Sequence, residues 1–389
     1  MSRIDLEKAR DAFAQATDGT VGIEEEFAVL DPDSLDLVAR FDDLNDAAHA
    51  SDEALAVSIA SELILSEIEI RSGAGIDLAD ATARQRDLRR KLFELADLQG
   101  VKLGALGTHP WADYREQLNV QSDHYRRVVD GLQYVARRNN TFSLHVHVGI
   151  RDADRAVRVC DRLRTILPTL LALSANSVML EGLDSGLASV RTQIFTKSFP
   201  RCGVPDPYGS WSSYCDYLEL LLRTGSIEED TQVWWSVRPH LAFGTVEVRI
   251  CDAQETADES EALAALIVAC VMQAARDDDE GKPFEAPAGR LIEENLWRAI
   301  RWGISGELID LDKGVCVPAR AAVDGLLEWT RPVRSELGIE PHFRDRNGAE
   351  RQSDLLGEGV SVKDVYASSV AQTRQSFGAG APTSSTEGS

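Results

Sequence analysis

The chain is poor in lysine and cysteine, and it has no long apolar run. Its 41 basic residues face 64 acidic ones, which gives a formal net charge of −23. Binding to nucleic-acid phosphates needs basic patches, so this charge argues against a nucleic-acid partner. No apolar run approaches the roughly 20 residues that cross a bilayer, and the start, MSRIDLEKARDAFAQ, lacks the apolar segment of a signal peptide. We therefore expect a cytoplasmic protein with no membrane partner.

The shortage of lysine is marked, because only seven residues are lysine. Acid-rich, lysine-poor surfaces are typical of proteins from a high-salt cytoplasm, where salt screens the repulsion between like charges. The composition therefore favours a halophilic origin, and the alternative is an acidic protein from an ordinary cytoplasm.

Several familiar motifs are missing as well. The six cysteines form no CxxC pair and no other zinc-binding spacing, so we expect them to be reduced and mainly buried. The sequence has no HExxH, no GxxxxGK[ST] loop, no GxGxxG opening a helix and no GxSxG elbow. If a nucleotide binds, its phosphates are then held through metal ions and not by a glycine-rich loop.

Four short segments alternate apolar residues with carboxylates, imidazoles or guanidinium groups. They are 21–29 (VGIEEEFAV), 67–71 (EIEIR), 144–149 (LHVHVG) and 245–250 (TVEVRI). Successive side chains of a strand point to opposite faces, so each segment has one apolar and one polar face. The polar faces carry Glu24, Glu26, Glu67, Glu69, Arg71, His145, His147, Glu247 and Arg249. Glu25 falls on the apolar face, and we expect it to be structural or at a sheet edge.

The four polar faces predict a metal site. Unpaired carboxylates are costly to bury, so these faces must meet water, one another or a ligand. Scattered charges on a solvated sheet would explain one such strand but explain four poorly. Magnesium prefers oxygen ligands and commonly shares them with substrate phosphates. The pattern therefore indicates divalent metal ions that hold a polyphosphate.

The histidines and arginines add to this site. His145 and His147 could bind zinc, but no third soft ligand stands at a recognisable spacing. One imidazole beside carboxylates on Mg²⁺ or Mn²⁺ fits better, and a hydrogen-bonded core histidine is the alternative for each. Arg191, Arg238 and Arg249 are candidate clamps for phosphate or carboxylate, because the guanidinium fork matches both groups.

Local patterns predict the order of helices and strands. We expect helices over 2–17, 77–98, 115–138, 152–180, 213–223, 259–276, 288–301, 318–336 and 361–376, and further strands over 37–40, 101–106 and 233–237. The acidic stretch 41–61 is predicted to be a loop, and 181–213 a loop that covers the substrate. These elements predict one α+β domain over residues 1–377, with an antiparallel sheet and helices on one side, and a disordered tail over 378–389.

Seven motifs follow one another over about residues 20 to 375. They are GIEEEF (22–27), ELILSEIEIRSG (62–73), GTHPW (107–111), HVHVG (145–149), SGLASVR (185–191), VRPHLAFGTVEVRICDA (237–253) and ENLWRAIRWG (294–303). Each is weak alone. Together they closely resemble the glutamate–cysteine ligase type 2 family, also called carboxylate–amine ligases, of the glutamine synthetase-like superfamily.

The resemblance implies a glutamine synthetase-like α+β fold. In that fold a curved antiparallel sheet forms a funnel, with ATP at one end, the amino-acid substrate at the other and helices on the outer face. The implied ligands of Mg²⁺ (or Mn²⁺) are Glu24, Glu26, Glu67 or Glu69, His147 and Glu247, and the choices between Glu67 and Glu69 and between His145 and His147 stay open. The implied catalytic residues are Arg191, Glu247 and Arg249. The implied ATP contacts are Arg249, Arg298 and Arg301, near a wall that includes Trp297, and the implied grips on the acidic substrate are Arg191 and Arg238.

The implied reaction joins the γ-carboxylate of glutamate to the amine of cysteine. The carboxylate attacks the γ-phosphoryl group of ATP to form an acyl phosphate, and the amine then displaces phosphate. The products are γ-glutamylcysteine, ADP and phosphate. The alternative is a ligase that joins glutamate to another amine, and more distant alternatives are a metal-dependent hydrolase and a non-catalytic binding protein. The sequence leaves room for a homo-oligomer.

Overall fold

The computed structural model describes residues 4–378, in which helices pack on a seven-stranded sheet. The strands are β1 (Val21–Leu30), β2 (Ile59–Ala60), β3 (Glu67–Arg71), β4 (Lys102–Gly104), β5 (Ser143–Gly149), β6 (Met179–Leu180), β7 (Leu183–Asp184), β8 (Cys202–Gly203), β9 (Trp234–Trp235), β10 (Val237–His240), β11 (Thr245–Asp252), β12 (Glu307–Asp310) and β13 (Val315–Pro318). The predicted tail lies outside the described residues from residue 379 onward.

Helices alternate with these strands along residues 4–378. They are α1 (Leu6–Gln15), α2 (Phe41–Ser51), α3 (Glu53–Ser58), α4 (Leu78–Leu98), α5 (Asp123–Leu132), α6 (Tyr134–Arg137), α7 (Ala153–Leu163), α8 (Leu167–Ser174), α9 (Val190–Ser198), α10 (Trp211–Arg223), α11 (Ala257–Asp279), α12 (Gly289–Trp302), α13 (Ala319–Leu337), α14 (Gly348–Gly357) and α15 (Val362–Gly378). Among residues 4–378, no helix combines the length and the apolar character needed to cross a membrane.

The main sheet places the four predicted polar strands side by side. Its order is β10-β11-β5-β1-β3-β2, with β4 also paired to β1, and every pairing is antiparallel. In the register, Glu24 of β1 stands opposite His145 of β5 and opposite Arg71 of β3. The prediction of four adjacent strands with one shared polar face is therefore confirmed.

The apolar face of this sheet forms the core. Ile23, Val146 and Val248 are buried in the largest apolar cluster, to which α7, α8 and α11 also contribute. Phe27 and Ile68 belong to a second cluster with α4. Helices α4, α7, α8 and α11 thus cover the apolar face of the sheet, as predicted, and the site lies on the polar face.

The acidic stretch 41–61 is not a loop, as the sequence predicted, but forms α2 and α3. Phe41, Leu44 and Ala48 recur at helical spacing and are buried, so the acidic residues between them take the solvent side. The side chain of Asp52 caps α3 by accepting a hydrogen bond from the backbone N–H of Leu55 at 3.0 Å. The high charge of this segment concealed an amphipathic pattern.

Three other predicted boundaries were wrong. The long helix over 152–180 breaks after α7 and ends with α8 at Ser174, because Pro168 lies in the first turn of a new helix, where its missing N–H does no harm. The helix over 115–138 begins only at Asp123, after its cap Ser122. The return strand over 37–40 is reduced to one bridge between Leu37 and Leu30.

The predicted loop over 181–213 is partly ordered into α9 and the short strands β7 and β8, while α14 and the β12–β13 hairpin were not predicted. All six cysteines lie in the described part of the chain and none is paired. Cys160, Cys251 and Cys270 are buried, whereas Cys316 is exposed.

Candidate active site

The polar face of the sheet gathers carboxylates at successive levels of the strands. Glu26 of β1 stands opposite Glu69 of β3, and Glu67 follows opposite Ala28. On the other side, Glu247 of β11 stands opposite His147 of β5 and opposite Arg238 of β10. These side chains are buried or nearly so, and they include the metal ligands implied by the sequence.

Glu25 lies on the apolar face of the sheet, and its carboxylate has hydrogen-bond partners there. It is buried against α4, where Arg89 donates from Nε at 2.5 Å and from Nη2 at 2.9 Å, and Gln85 donates at 2.8 Å. The carboxylate is thus fully partnered. This agrees with the expectation that Glu25 has a structural role, and it contrasts with the carboxylates of the polar face.

The first candidate cation site lies between β1, β5 and β11. Nε2 of His147 is buried, has no hydrogen-bond partner, and lies 3.3 Å from Oε1 of Glu24 and 3.8 Å from Oε1 of Glu247. Its other ring nitrogen, Nδ1, lies 3.0 Å from the hydroxyl of Thr245. An imidazole fixed through one nitrogen, with the other aimed at two carboxylates, has the form of a metal ligand.

His145 reaches the same site, but both of its ring nitrogens lie close to polar partners. Its Nδ1 lies 3.2 Å from Oε2 of Glu24, and its Nε2 lies 2.8 Å from the hydroxyl of Ser143. Atoms of Glu24, His145 and Glu247 also come within 4.8 Å of one another. Both histidines therefore reach the site, and the unpartnered nitrogen favours His147 as the ligand.

The second candidate cation site consists of Glu26, Glu62 and Glu69, whose oxygens come within 4.8 Å of one another. Glu62 was not among the residues selected from the sequence, although it opens one of the seven motifs. It follows β2 in a non-strand segment, so strand alternation could not select it. The hydroxyl oxygen of Tyr125 on α5 lies 3.3 Å from Oε2 of Glu62.

The electrostatics of the two sites differ. Burial and repulsion from neighbouring carboxylates raise the pKa of Glu67 and of Glu69 well above the ordinary value, and burial with repulsion from Glu26 raises the pKa of Glu62 to about 7. At the first site, burial opposes ionisation of Glu247, but Arg238 and Arg249 outweigh it and hold its pKa well below the usual range. The second site therefore lacks positive charge that a divalent cation would supply.

Two of the predicted arginines pair with Glu247. Arg238 donates from Nε at 2.6 Å, and it also bonds the carbonyl of Val233 through Nη1. Arg249 donates from Nη1 to the other oxygen of Glu247. Both line the cavity above the sheet, so both are placed where a phosphate or carboxylate would enter.

Arg191 performs a structural task at the edge of the cavity. The pairing of β11 with β5 shifts register between Val248 and Cys251, which marks a β-bulge at Arg249 and Ile250. Arg191 on α9 donates from Nη1 to the carbonyl of Ile250 at 3.1 Å and from Nη2 to the carbonyl of Arg249 at 3.2 Å. Its guanidinium thus supports the strand segment from which Arg249 projects. The Nε atom of Arg191 has no hydrogen-bond partner among the described residues, so it is the nitrogen available for the predicted contact with the substrate.

The structure does not bring the two arginines of α12 to the site. Arg298 lies 3.5 Å from a carboxylate oxygen of Glu294 and donates to Sγ of Cys316, and Arg301 donates to the carbonyl of Gly186. Neither lines the cavity. The reason is helical periodicity, because the buried face of α12 is formed by Ile292, Asn295, Leu296, Ala299 and Ile300. The predicted ATP contacts at Arg298 and Arg301 and the predicted wall at Trp297 therefore stay predictions, and these residues lie outside the cavity above the sheet.

A cavity of about 180 Å³ opens above the carboxylates. Its floor includes Glu26, Glu67, His145 and Arg249, and its walls come from α5, α9 and the segment before β9. The wall residues include His124, Tyr125, Val128, Asn139, Thr141, Phe195, Phe199, Thr231 and Trp234. Phe195 and Phe199 belong to the stretch 181–213, so part of the predicted substrate-covering segment does face the cavity.

Comparison with known proteins gives consistent matches over most of the chain. Residues 20–356 match the family model described as glutamate-cysteine ligase family 2. A protein from Solibacter usitatus named "Putative glutamate--cysteine ligase 2" is 37% identical over 376 residues, covering 95% of this chain and 97% of its own length. A protein of the same name from Gloeobacter violaceus is 36% identical over 365 residues, covering 91% of this chain and 97% of its own.

A solved structure shares the fold at low sequence identity. The glutamate–cysteine ligase from Francisella tularensis in complex with AMP superposes with a TM-score of 0.65 at 12% identity, covering 93% of this chain and 90% of that chain. The predicted glutamine synthetase-like α+β fold, with helices on the outer face of an antiparallel sheet, is confirmed.

Proposed function

The chain belongs to glutamate-cysteine ligase family 2, and from that membership we propose that it uses ATP to join the γ-carboxylate of glutamate to the amine of cysteine. The products would be γ-glutamylcysteine, ADP and phosphate. Use of ATP is supported by the fold shared with a ligase whose structure contains AMP. We also propose a cytoplasmic location.

One observation carries the proposal more than any other. The polar face of the sheet holds two groups of buried or partly buried carboxylates, one with Glu24, His145 and Glu247 and one with Glu26, Glu62 and Glu69. Beside the first group lies Nε2 of His147, a buried nitrogen with no hydrogen-bond partner, 3.3 Å from Glu24 and 3.8 Å from Glu247. The donor set of carboxylate oxygens and one imidazole suits Mg²⁺ or Mn²⁺. We propose that Glu24, Glu247 and His147 hold one cation and that Glu26, Glu62 and Glu69 hold another, with Glu67 beside them. When bound, these cations would supply positive charge to the phosphoryl oxygens.

The residues of the chain itself would position the reactants. Arg249, fixed by Glu247 and by the strand segment that Arg191 supports, would face the phosphoryl group during transfer. Arg238, and Arg191 through its free Nε, would hold the acidic substrate. The γ-carboxylate would attack the γ-phosphorus, the bond to ADP would break, and the resulting acyl phosphate would then be attacked by the amine. Phe195 and Phe199 would keep water away from the acyl phosphate.

A second candidate function is ligation of glutamate to a different amine. Phe199 packs edge-on against Trp234 at 5.5 Å between ring centroids, and Phe195 lies 4.6 Å from Phe199. These rings give the cavity an aromatic wall that an apolar amine would cover. The proposal of cysteine rests on the family, and the aromatic wall favours testing larger amines beside it.

An assay of ADP release separates these possibilities. We expect ATP turnover to need glutamate together with cysteine, and to need Mg²⁺ or Mn²⁺. Stimulation by another amine and not by cysteine would support the second candidate. Amide or phosphate hydrolysis without ATP would indicate a hydrolase, and no ADP with any amine would contradict a ligase.

A further inference from the structure

The proposed ligation needs a group that accepts a proton from the acceptor amine, and no residue of the site has been assigned that role so far. At neutral pH an amine is mostly an ammonium ion, which has no lone pair with which to attack the acyl phosphate. Guanidinium groups cannot accept the proton. The carboxylates of Glu24, Glu26, Glu62, Glu69 and Glu247 face the proposed cations. The following inference rests on the proposed ligase function.

We propose that His124 is the general base that deprotonates the acceptor amine. His124 lies in the first turn of α5 and lines the cavity together with Tyr125 and Arg191. Its Nδ1 lies 2.6 Å from Oε1 of Glu229, and among residues 4–378 its Nε2 has no hydrogen-bond partner. The imidazole is therefore oriented on one side and available on the other.

The carboxylate of Glu229 has a second partner besides His124. Nη2 of Arg127, one turn along α5, donates to Oε2 of Glu229 at 3.2 Å, and Nε of Arg127 lies 3.8 Å from Glu228. When a carboxylate accepts the proton on Nδ1, the lone pair of a neutral imidazole lies on Nε2, the nitrogen that would accept the proton of the amine. Glu229 contacts the His124 imidazole, Arg127 contacts both Glu229 and Glu228, and Tyr125 and Glu62 line the same cavity as His124.

Among the other groups that line the cavity, Glu67 lies beside the proposed cation ligands, and His145 and Tyr125 already have partners. Both nitrogens of His145 lie within hydrogen-bond distance of partners, Glu24 and Ser143. The hydroxyl of Tyr125 donates to the carbonyl of Ser61 at 2.9 Å, and burial raises the pKa of this phenol further above neutrality. Among the described residues that line the cavity, His124 is the imidazole with a ring nitrogen that has no hydrogen-bond partner.

Atoms and charge balance in this step. Nε2 of His124 takes one proton from the ammonium group, which leaves a neutral amine. The lone pair of the amine attacks the acyl carbon, and the bond between that carbon and the phosphate oxygen breaks with its electron pair. The second proton lost from nitrogen ends on the departing phosphate, and the imidazolium returns its proton to water. No oxidant, reductant or further reactant is needed.

The experiment compares two acceptors that differ in their need for a base. Cysteine is mainly protonated on nitrogen at pH 7, whereas hydroxylamine is a weaker base and is already neutral. For His124→Gln we expect kcat with cysteine to fall about 100-fold or more, which is the usual contribution of a general base. Formation of γ-glutamyl hydroxamate from hydroxylamine should stay at the wild-type rate. Glu229→Gln should show the same selective loss. His342→Gln, which changes an exposed histidine outside the cavity, should behave as wild type with both acceptors.

The pH profile gives an independent measurement. The acidic limb of the rate with cysteine should become less steep in His124→Gln, and raising the pH should restore part of the lost activity, because solvent then deprotonates the amine. Equal losses with cysteine and hydroxylamine would overturn the assignment and indicate a structural role. Unchanged kcat with cysteine would overturn it as well. If the wild-type protein forms no hydroxamate with ATP and glutamate, the proposed function itself fails, and the inference fails with it.

Discussion

Glu62 makes the stability of the cation-free protein depend on pH, and divalent cations should change that dependence. In the unfolded chain this glutamate titrates near 4.5, whereas burial and repulsion from Glu26 raise its pKa in the folded protein to about 7. Between these pH values the folded state keeps a proton that the unfolded state has released. The free energy of unfolding therefore falls as the pH rises from about 4.5 to about 7, and the contribution is lost above pH 7.

The magnitude follows from the same pKa. Between pH 6 and pH 8, Glu62 alone should lower the free energy of unfolding by about 1 kcal/mol, which corresponds to about 1–2 °C in Tm for a chain of this length. The raised pKa values of Glu67 and Glu69 act in the same direction. A cation at 100 times its Kd adds about 2.7 kcal/mol of stability. Because it binds the ionised carboxylates, it should add more at pH 8 than at pH 6.

The assay is thermal unfolding at pH 6 and pH 8, in EDTA and in Mg²⁺, with ionic strength kept constant by KCl. We expect Tm in EDTA to fall between pH 6 and pH 8, and Mg²⁺ to remove much of that fall. Glu62→Gln cannot ionise at this position, so it should reduce both the pH dependence and the gain from Mg²⁺. Glu358→Gln, an exposed position, is the matched control. A wild-type Tm that is the same at both pH values in EDTA, and that Mg²⁺ raises no more than KCl does, would refute this account of the carboxylates.

Three further predictions follow from the site and the surface. Glu24→Gln, Glu26→Gln and Glu247→Gln should each lower ATP turnover by orders of magnitude while circular dichroism stays unchanged, whereas near-normal turnover in all three would exclude the cation sites. Arg191→Lys should raise the KM for glutamate with little change in the KM for ATP. It should also lower the free energy of unfolding by about 1–3 kcal/mol, because one ammonium cannot bond both carbonyls of the bulge. A KM for glutamate and a free energy of unfolding that both match wild type would contradict both roles. The net charge of −23 predicts a Tm that climbs from dilute buffer toward molar KCl, since the Debye length shortens from about 30 Å at 0.01 M to about 10 Å at 0.1 M, and a Tm independent of salt would remove the argument for a halophilic origin.

Strand alternation predicted the centre of the molecule well. A period of two residues fixes the face of each side chain, so the sequence alone assigns Glu24 and Glu26 to the polar face and Glu25 to the core. The cap of α4 was equally local, because the side chain of Asp77 accepts from the backbone N–H of Asp80. Such features depend on neighbours in sequence, and for that reason the sequence predicts them.

Other parts of the site depend on contacts between distant segments. Glu62 lies outside the main polar strands and reaches Glu26 and Glu69 only because β2 pairs with β3. His124 is oriented by Glu229, which lies more than a hundred residues away along the chain. A bulge in β11 determines the bonds of Arg191, and strand patterns do not reveal a bulge. The resemblance implied ATP contacts at Arg298 and Arg301, but a motif does not state which side of a helix faces the cavity, and these two side chains do not line it.

The most direct test of the proposed reaction follows an oxygen atom. Glutamate labelled with ¹⁸O in its γ-carboxylate is incubated with ATP, cysteine and Mg²⁺, and the phosphate and the peptide product are analysed by mass spectrometry. Ligation through an acyl phosphate predicts that one ¹⁸O passes into phosphate for each γ-glutamylcysteine and each ADP formed. Release of unlabelled phosphate, or the absence of γ-glutamylcysteine while ATP is consumed, would contradict it.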